Sequence, residues 1–286
     1  MKWSALYVGL VLVLLFSFAP TPIANAIDTS GVTTIGEDEA LKIYKAEVRK
    51  TLAQAALTAI QEAEEQLNPP PQPEPKPEPK PEPEPKKVAY LTFDDGPNSY
   101  TAQILDELKK ENVQATFFLL GPQIERYEET AKRIVADGHS PGLHGMTHVA
   151  KKVYASTRSL LDEVEDCNTI LERVTGVRSK LFRAPYGSKP WMPDDYRDAT
   201  AGAGYRLWDW NVDSYDSRAA EVPAEQIVAQ VKQQVQGKER AVILLHDKKT
   251  TVEALPQILA DLKAQGFVLK RVESDTKPLN FWNDER

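Results

Sequence analysis

The chain has 286 residues, 41% of them hydrophobic and 8% aromatic. That is room for one large domain or two small ones, and too much apolar mass for a wholly disordered chain. A formal net charge of −7 argues against nucleic acid or an anionic membrane surface as the main partner.

The N-terminus (1–26) reads as a signal peptide. Lys2 supplies a short positive region, 5–19 is a largely apolar run without a charge, and Ala24-Asn25-Ala26 is a small-x-small cleavage site. The run falls short of the ~20 residues that a membrane span needs, and retention as a signal anchor is the alternative. Export, to the medium or to a Gram-positive-type cell wall, is the expectation. Residues 27–36 form an exposed leader. Over 37–67, Leu41, Tyr44, Val48, Leu52, Ala56, Ala59 and Ala63 recur at three- and four-residue steps, which predicts one helix. A docked helix, a coiled-coil stalk and a wall-binding segment all fit that stripe. Within 68–86, from Pro69 to Pro85, nearly every second residue is proline, alternating mostly with Glu and Lys. Proline bars helix and sheet, so this linker is expected to be a polyproline rod. At ~3.1 Å per residue it spans roughly 50 Å and acts as a spacer.

From 87 to 273 strands and helices alternate. Strands are predicted over 88–93, 115–120, 139–143, 180–182, 205–212, 241–245 and 267–271, and helices over 101–110, 124–137, 159–175, 223–236 and 252–265. Seven strands mostly separated by helices imply an α/β fold with a parallel sheet, open or closed into a barrel. The one cysteine, Cys167, lies on a helical stripe with Leu160, Val164 and Leu171 and reads as buried packing. With no partner it offers no internal disulfide, so the core alone must hold the fold. The tail 274–286 is short and polar and is expected to be a loose end.

Five segments carry candidate chemistry. Thr92-Phe93-Asp94-Asp95-Gly96-Pro97 ends a strand with two adjacent carboxylates, whose repulsion suggests a cation nearby. His144-Gly145-Met146-Thr147-His148 offers two histidines four apart, on one face of a helical turn, able to share a metal. With an Asp they make a two-histidine, one-carboxylate set that suits zinc or another divalent transition metal used for hydrolysis. Arg183-Ala184-Pro185-Tyr186-Gly187 offers an arginine that can grip a carboxylate bidentately and a backbone N–H at Tyr186 able to face an oxyanion. The run 208–216 delivers Asp213 and Asp216, either able to hold a histidine's tautomer, and its Trp208 and Trp210 read as core. A buried apolar strand then ends in His246-Asp247. Taken singly, each has a bland structural reading. All five, however, fall at or just past the C-terminal end of a strand, where parallel α/β barrels build their active sites. The domain's fourth histidine, His139, lies outside these segments and reads as structural.

With these segments in view, the chain resembles the polysaccharide deacetylase family, carbohydrate esterase family four, over about 87–273. The resemblance implies a distorted seven-stranded (β/α) barrel, preceded here by the N-terminal helix and the proline-rich linker. It implies Asp94 as catalytic base, Asp95, His144 and His148 as ligands of a divalent metal (zinc, with cobalt or nickel as alternatives), and Arg183 as the group orienting Asp94. Tyr186 would give the oxyanion its backbone donor, and His246, with Asp216 as partner, would be the general acid. No organic cofactor is implied. Two positions depart from the family's pattern. Gly145 stands where Ser or Thr usually follows the first histidine, and Ser217 follows Asp216 where tryptophan is usual, leaving Asp213 as the alternative partner of His246. The implied reaction is removal of N-acetyl groups from an N-acetylated cell-wall glycan. Export and a wall-length spacer favour peptidoglycan, at N-acetylglucosamine or N-acetylmuramic acid. The rival readings are a chito-oligosaccharide deacetylase, an O-acetyl esterase, and a non-catalytic glycan-binding envelope protein.

Overall fold

The structure, a computed structural model, describes residues 36–67 and 86–286. The predicted signal peptide and the linker up to residue 85 lie outside the described residues, as does the leader up to residue 35. No helix among the described residues is long and apolar enough to cross a membrane.

The chain divides into two compact units, Met1–Lys80 and Pro81–Arg286. The first contains helix α1 (Glu37–Leu67), whose span is the one the stripe predicts. Its Leu41, Tyr44, Val48 and Leu52 are exposed, so among the described residues of this unit the stripe covers no core.

The second unit runs β1 (Val88–Gly96), α2 (Thr101–Lys110), β2 (Thr116–Leu120), α3 (Gly121–Arg126), α4 (Glu128–Ala136), β3 (Ser140–Gly145), α5 (Ala150–Val153), α6 (Thr157–Thr175) and β4 (Leu181–Phe182). It continues through α7 (Asp194–Gly202), β5 (Arg206–Leu207), β6 (Val212–Asp213), α8 (Ala224–Gln234), β7 (Arg240–His246), α9 (Lys249–Ala264) and β8 (Val268–Lys270). Every strand pairing is parallel, in the order β5-β4-β3-β2-β1-β7-β6. The strand predicted over 205–212 is two short strands at opposite ends of that order. The Trp208 N–H donates to Phe182 O, while the Asn211 N–H donates to Val242 O. One continuous run, bent at Asn211, thus binds β4 at its start and β7 at its end, which curls the sheet into a half-closed barrel. β8 pairs Val88–Tyr90 of β1, and β2 takes over beside β1 from Thr92.

Ala89 to Phe93 of β1 are all buried, as expected of a central parallel strand covered on both faces. Leu91 and Phe93 face the helices in the main core, whereas Tyr90, Phe118, Leu181, Trp208 and Val242 form a second cluster on the other face, inside the barrel. α6 starts on a capping box between Ser156 and Ser159 and ends at Gly176 with φ 76°, where a left-handed residue stops a helix and glycine adopts that conformation without penalty. Its buried face is Leu160, Val164, Cys167 and Leu171. Burial pushes the Cys167 thiol up to about 12, which leaves it an inert packing residue.

The structure differs from expectation in other places as well. The helix predicted over 124–137 is α3 and α4, broken at Tyr127 with φ −125° and ψ 48°. α7 had no sequence signal strong enough to predict it: only Arg197 and Thr200 of its nine residues are buried. The tail is not loose. Asn280 is buried, the Asp209 N–H donates to Leu279 O, Phe281 packs edge-on against Trp210 at 4.9 Å, and Trp282 lies under Arg197 at 4.0 Å. Apolar residues in a polar tail, Leu279, Phe281 and Trp282, were the signal.

Candidate active site

The ends of β1, β3, β4 and β7 and the run after β6 converge on one cleft of about 460 Å3. Asp94, Asp95, His144, His148, Tyr186 and His246 all line it. A larger hollow of about 540 Å3, near Tyr90, Arg271 and Glu273, lies towards the opposite end of the strands. No cluster of metal-binding donors sits there among the described residues.

β1 bulges between Asp94 and Gly96. The bulge and a φ of 69° at Asp95 turn the two neighbouring carboxylates different ways. Asp94 is 3% exposed and meets Arg183, while Asp95 faces the histidines. His144 is the last residue but one of β3, which ends at Gly145 with φ 93°, and the chain then turns through His148 at φ 49°. The two histidines therefore meet across a strand-end loop, not along a helical turn as the four-residue spacing suggested. Their rings lie 5.1 Å apart.

Asp95 Oδ1 is 3.5 Å from His144 Nε2 and 3.5 Å from His148 Nε2. It is buried and has no hydrogen-bond partner. Donors about 2.1 Å from one tetrahedral ion lie about 3.4 Å apart, so an ion would satisfy the orphaned oxygen at nearly this spacing. This trio is the one such group of donors among the described residues. His144 Nδ1 is 2.8 Å from Arg183 O, which places the ring proton on Nδ1 and leaves Nε2 free to ligate. Burial, with His144 as the next cause, lowers His148 from its usual value and favours the neutral form that a metal requires.

Arg183 is fully buried. Its Nη1 reaches Asp94 Oδ1 at 2.9 Å and Thr92 Oγ1 at 2.7 Å, and its Nε and Nη2 go to Trp208 O and Asp209 O. One nitrogen holds the carboxylate, so the grip is not bidentate. The rest of the fork ties β1 to the run that closes the barrel. Ala184 to Gly187 form a turn closed by the Gly187 N–H to Ala184 O, with Tyr186 at φ 68°. Proline at the second position and a positive φ at the third describe a type II turn. A non-glycine residue there costs on the order of 1–3 kcal/mol. Asp209 braces this turn by accepting from the Ser188 N–H and hydroxyl. Among the described residues six non-glycine positions have positive φ, and four of them, Asp95, His148, Tyr186 and Tyr215, belong to the five segments; backbone strain concentrates at functional sites.

His246 Nδ1 lies 2.8 Å from Asp216 Oδ1, and Asp216 Oδ2 accepts from the His246 N–H and from Thr251 Oγ1. Burial opposes charge on His246, but its hydrogen bond to Asp216 and the attraction of Asp216, Asp94 and Asp95 outweigh that and raise it to about 9. Asp213 instead accepts from the Tyr215 N–H and lies 3.8 Å from Arg218. Beside His246, burial pushes Asp247 up to about 7, and its hydroxyl partner is Thr101. Trp208 is buried in the barrel as expected, but Trp210 lines the cleft. His139 is buried against Phe117, accepts from the Ala115 N–H and is pushed down to about 4 by burial, which fits a structural residue. Sequence reasoning gave no role to Thr92 and Asp209, although both stand within the five segments, and missed Glu163 and Thr251, which support site residues from helices whose own pattern reads as packing.

Comparison with known proteins bears on the fold and the family. The family model for polysaccharide deacetylase matches residues 82–208. A peptidoglycan-N-acetylglucosamine deacetylase of Bacillus cereus is 38% identical over 206 residues, covering 70% of this chain and 75% of that protein. A polysaccharide deacetylase crystal structure from Bacillus cereus superposes with a TM-score of 0.65 at 39% identity, over 70% of this chain and 98% of that one. A CE4 family pseudoenzyme from Bacillus anthracis also superposes, with a TM-score of 0.60 at 27% identity, over 68% of this chain and 67% of that one. On these matches, the chain belongs to the polysaccharide deacetylase family.

Proposed function

We propose that the chain is an exported, metal-dependent N-deacetylase of peptidoglycan that releases acetate from N-acetylglucosamine residues. The observation that carries the reading is the Asp95–His144–His148 donor set with Asp94 and His246 beside it in the same cleft. Asp94 Oδ2 is 3.9 Å from His144 Nε2, and His246 Nε2 is 4.0 Å from Asp95 Oδ2. A base and an acid thus both stand within about 4 Å of the donor set, within reach of one bound acetamide, as amide hydrolysis requires. Asp95, His144 and His148 would hold a divalent ion, with zinc the best fit to these ligands, which would supply Lewis-acid polarisation of the acetamide and a more acidic water. Asp94, its Oδ1 fixed by Arg183, takes the proton of the attacking water at Oδ2. The Tyr186 N–H donates to the oxyanion. His246, with Nδ1 engaged by Asp216, delivers a proton from Nε2 to the departing sugar amine.

A pseudoenzyme of the same fold means that family membership alone does not carry activity, and the intact set of base, ligands and acid supports catalysis here. The match to a peptidoglycan-N-acetylglucosamine deacetylase, the signal-peptide pattern and the proline-rich spacer favour a wall glycan over xylan. Acetate release from N-acetylglucosamine oligomers and peptidoglycan, set against acetylated xylan, tests the reading. Preference for xylan acetate would turn it to the O-acetyl esterase, and metal binding without any release to the non-catalytic protein.

A further inference from the structure

We infer that Glu163, on the core-facing side of α6, is the positioning residue that fixes the segment between the two histidine ligands and so sets the strength of metal binding. The inference rests on the metal site of the proposed function. Glu163 is 9% exposed. Its Oε2 accepts the Met146 N–H at 2.6 Å and the Thr147 N–H at 2.8 Å, and its Oε1 accepts the Thr147 hydroxyl. Three donors from two consecutive residues, all lying between His144 and His148, thus end on one carboxylate.

The two ligands differ in what holds them. The His144 ring has its own orienting partner in Arg183 O. The His148 ring is 27% exposed and leans on Tyr186 at 4.5 Å. Its backbone sits at φ 49°, a conformation uncommon for a side chain of its size. That backbone is held by Tyr186 Oη, which donates to His148 O, and through Thr147 by Glu163. Gly145 allows the carboxylate its approach: a Cβ there would lie 3.2 Å from Glu163 Oε2, at a φ of 93°. The anchor lies on a rigid helix, capped at both ends and buried along one face. Hydrogen bonds from neutral donors to a carboxylate are about twice as strong as neutral pairs. Removing the charge while keeping the shape should therefore loosen His148 without emptying the core.

The test is zinc binding by the purified chain, measured by competition with a chromophoric chelator, for wild type, Glu163→Gln and Thr147→Val. Outer-shell partners of this kind typically change metal affinity by 10–100-fold. Glu163→Gln is expected to weaken zinc binding about 10-fold or more, and Thr147→Val to weaken it less. The visible spectrum of the cobalt-loaded Glu163→Gln variant should differ from wild type at saturating metal, because the His148 ligand is displaced. A purely structural role would lower the apo-protein's melting temperature and leave affinity and spectrum unchanged, and that result would overturn the inference. Thr147→Val removes a single hydroxyl and keeps the test alive should Glu163→Gln not fold; wild-type affinity in it would then count against the inference. Wild type that binds no zinc would instead reject the metal site itself.

Discussion

Asp216→Asn is the perturbation whose effect the geometry quantifies best. In the metal-free protein His246 is raised from 6.5 to about 9, with the Asp216 contact as the main force acting against burial. A histidine whose folded value is raised contributes stability that is complete below its unfolded value. That stability is lost as pH climbs through the folded value. The window is therefore roughly pH 6.5 to 9, and at 1.36 kcal/mol per unit the contribution is about 3 kcal/mol. The amide of the Asp216→Asn variant keeps an acceptor but not the charge, so burial then dominates and the histidine titrates below neutrality. Urea unfolding of the chelator-treated protein at pH 6 and at pH 9.5 reads the effect directly. Wild type should lose about 3 kcal/mol more than Asp216→Asn between these two conditions. NMR titration of the His246 ring gives the same quantity without unfolding. A His246 midpoint near 6.5 in wild type, or the same pH slope in both proteins, would refute the reasoning. The catalytic corollary has the same sign: the alkaline limb of the rate profile should move to lower pH in the variant, because the acid loses its proton earlier.

Other expectations follow from the same contacts. Asp94→Asn should abolish nearly all turnover while zinc binding persists; substantial residual acetate release would remove Asp94 from the role of base. Zinc at 100 times its Kd should stabilise the folded chain by about 2.7 kcal/mol, seen as a melting temperature roughly 5–10 °C higher than in chelator. Gly187→Ala should destabilise by about 1–3 kcal/mol, because φ there is 83° and a Cβ would lie 2.8 Å from Phe281 and 3.0 Å from Trp210; an unchanged denaturation midpoint would show that the turn and tail yield freely. Deleting 278–286 removes the Phe281 N–H from Asp209 and the packing on Trp210, so it should cost at least about 3 kcal/mol and disturb the Tyr186 turn.

The barrel was legible because its strands are short apolar runs between amphipathic helices, and that period survives burial on both faces. The site was legible for a related reason. A parallel barrel gathers whatever follows each strand, so position along the chain already located Asp94, His144, Arg183 and His246 on one rim. What did not show was local backbone shape. The histidine spacing fits a helix, yet Gly145 and His148 at positive φ make it a loop, and spacing alone carries no record of φ. The choice between Asp213 and Asp216 as the carboxylate nearest His246 likewise depended on the course of the chain after β6, where two residues of strand give way to turn. Glu163 and Thr251 sit on helices whose stripes read as core packing, and a polar residue aimed at a neighbouring loop leaves no periodic trace. The run 205–212 looked like one strand because no glycine or proline interrupts it, and a bend at Asn211 and its hydrogen bonds divide it between the two edges of the sheet.

The most direct test is acetate release from peptidoglycan by the purified chain, stripped with chelator and then restored with zinc, alongside Asp94→Asn. Release that stops with chelator, returns with zinc and is absent in the variant is the expected result. Release that survives complete metal removal, or no release from zinc-loaded wild type, would contradict a metal-dependent deacetylase.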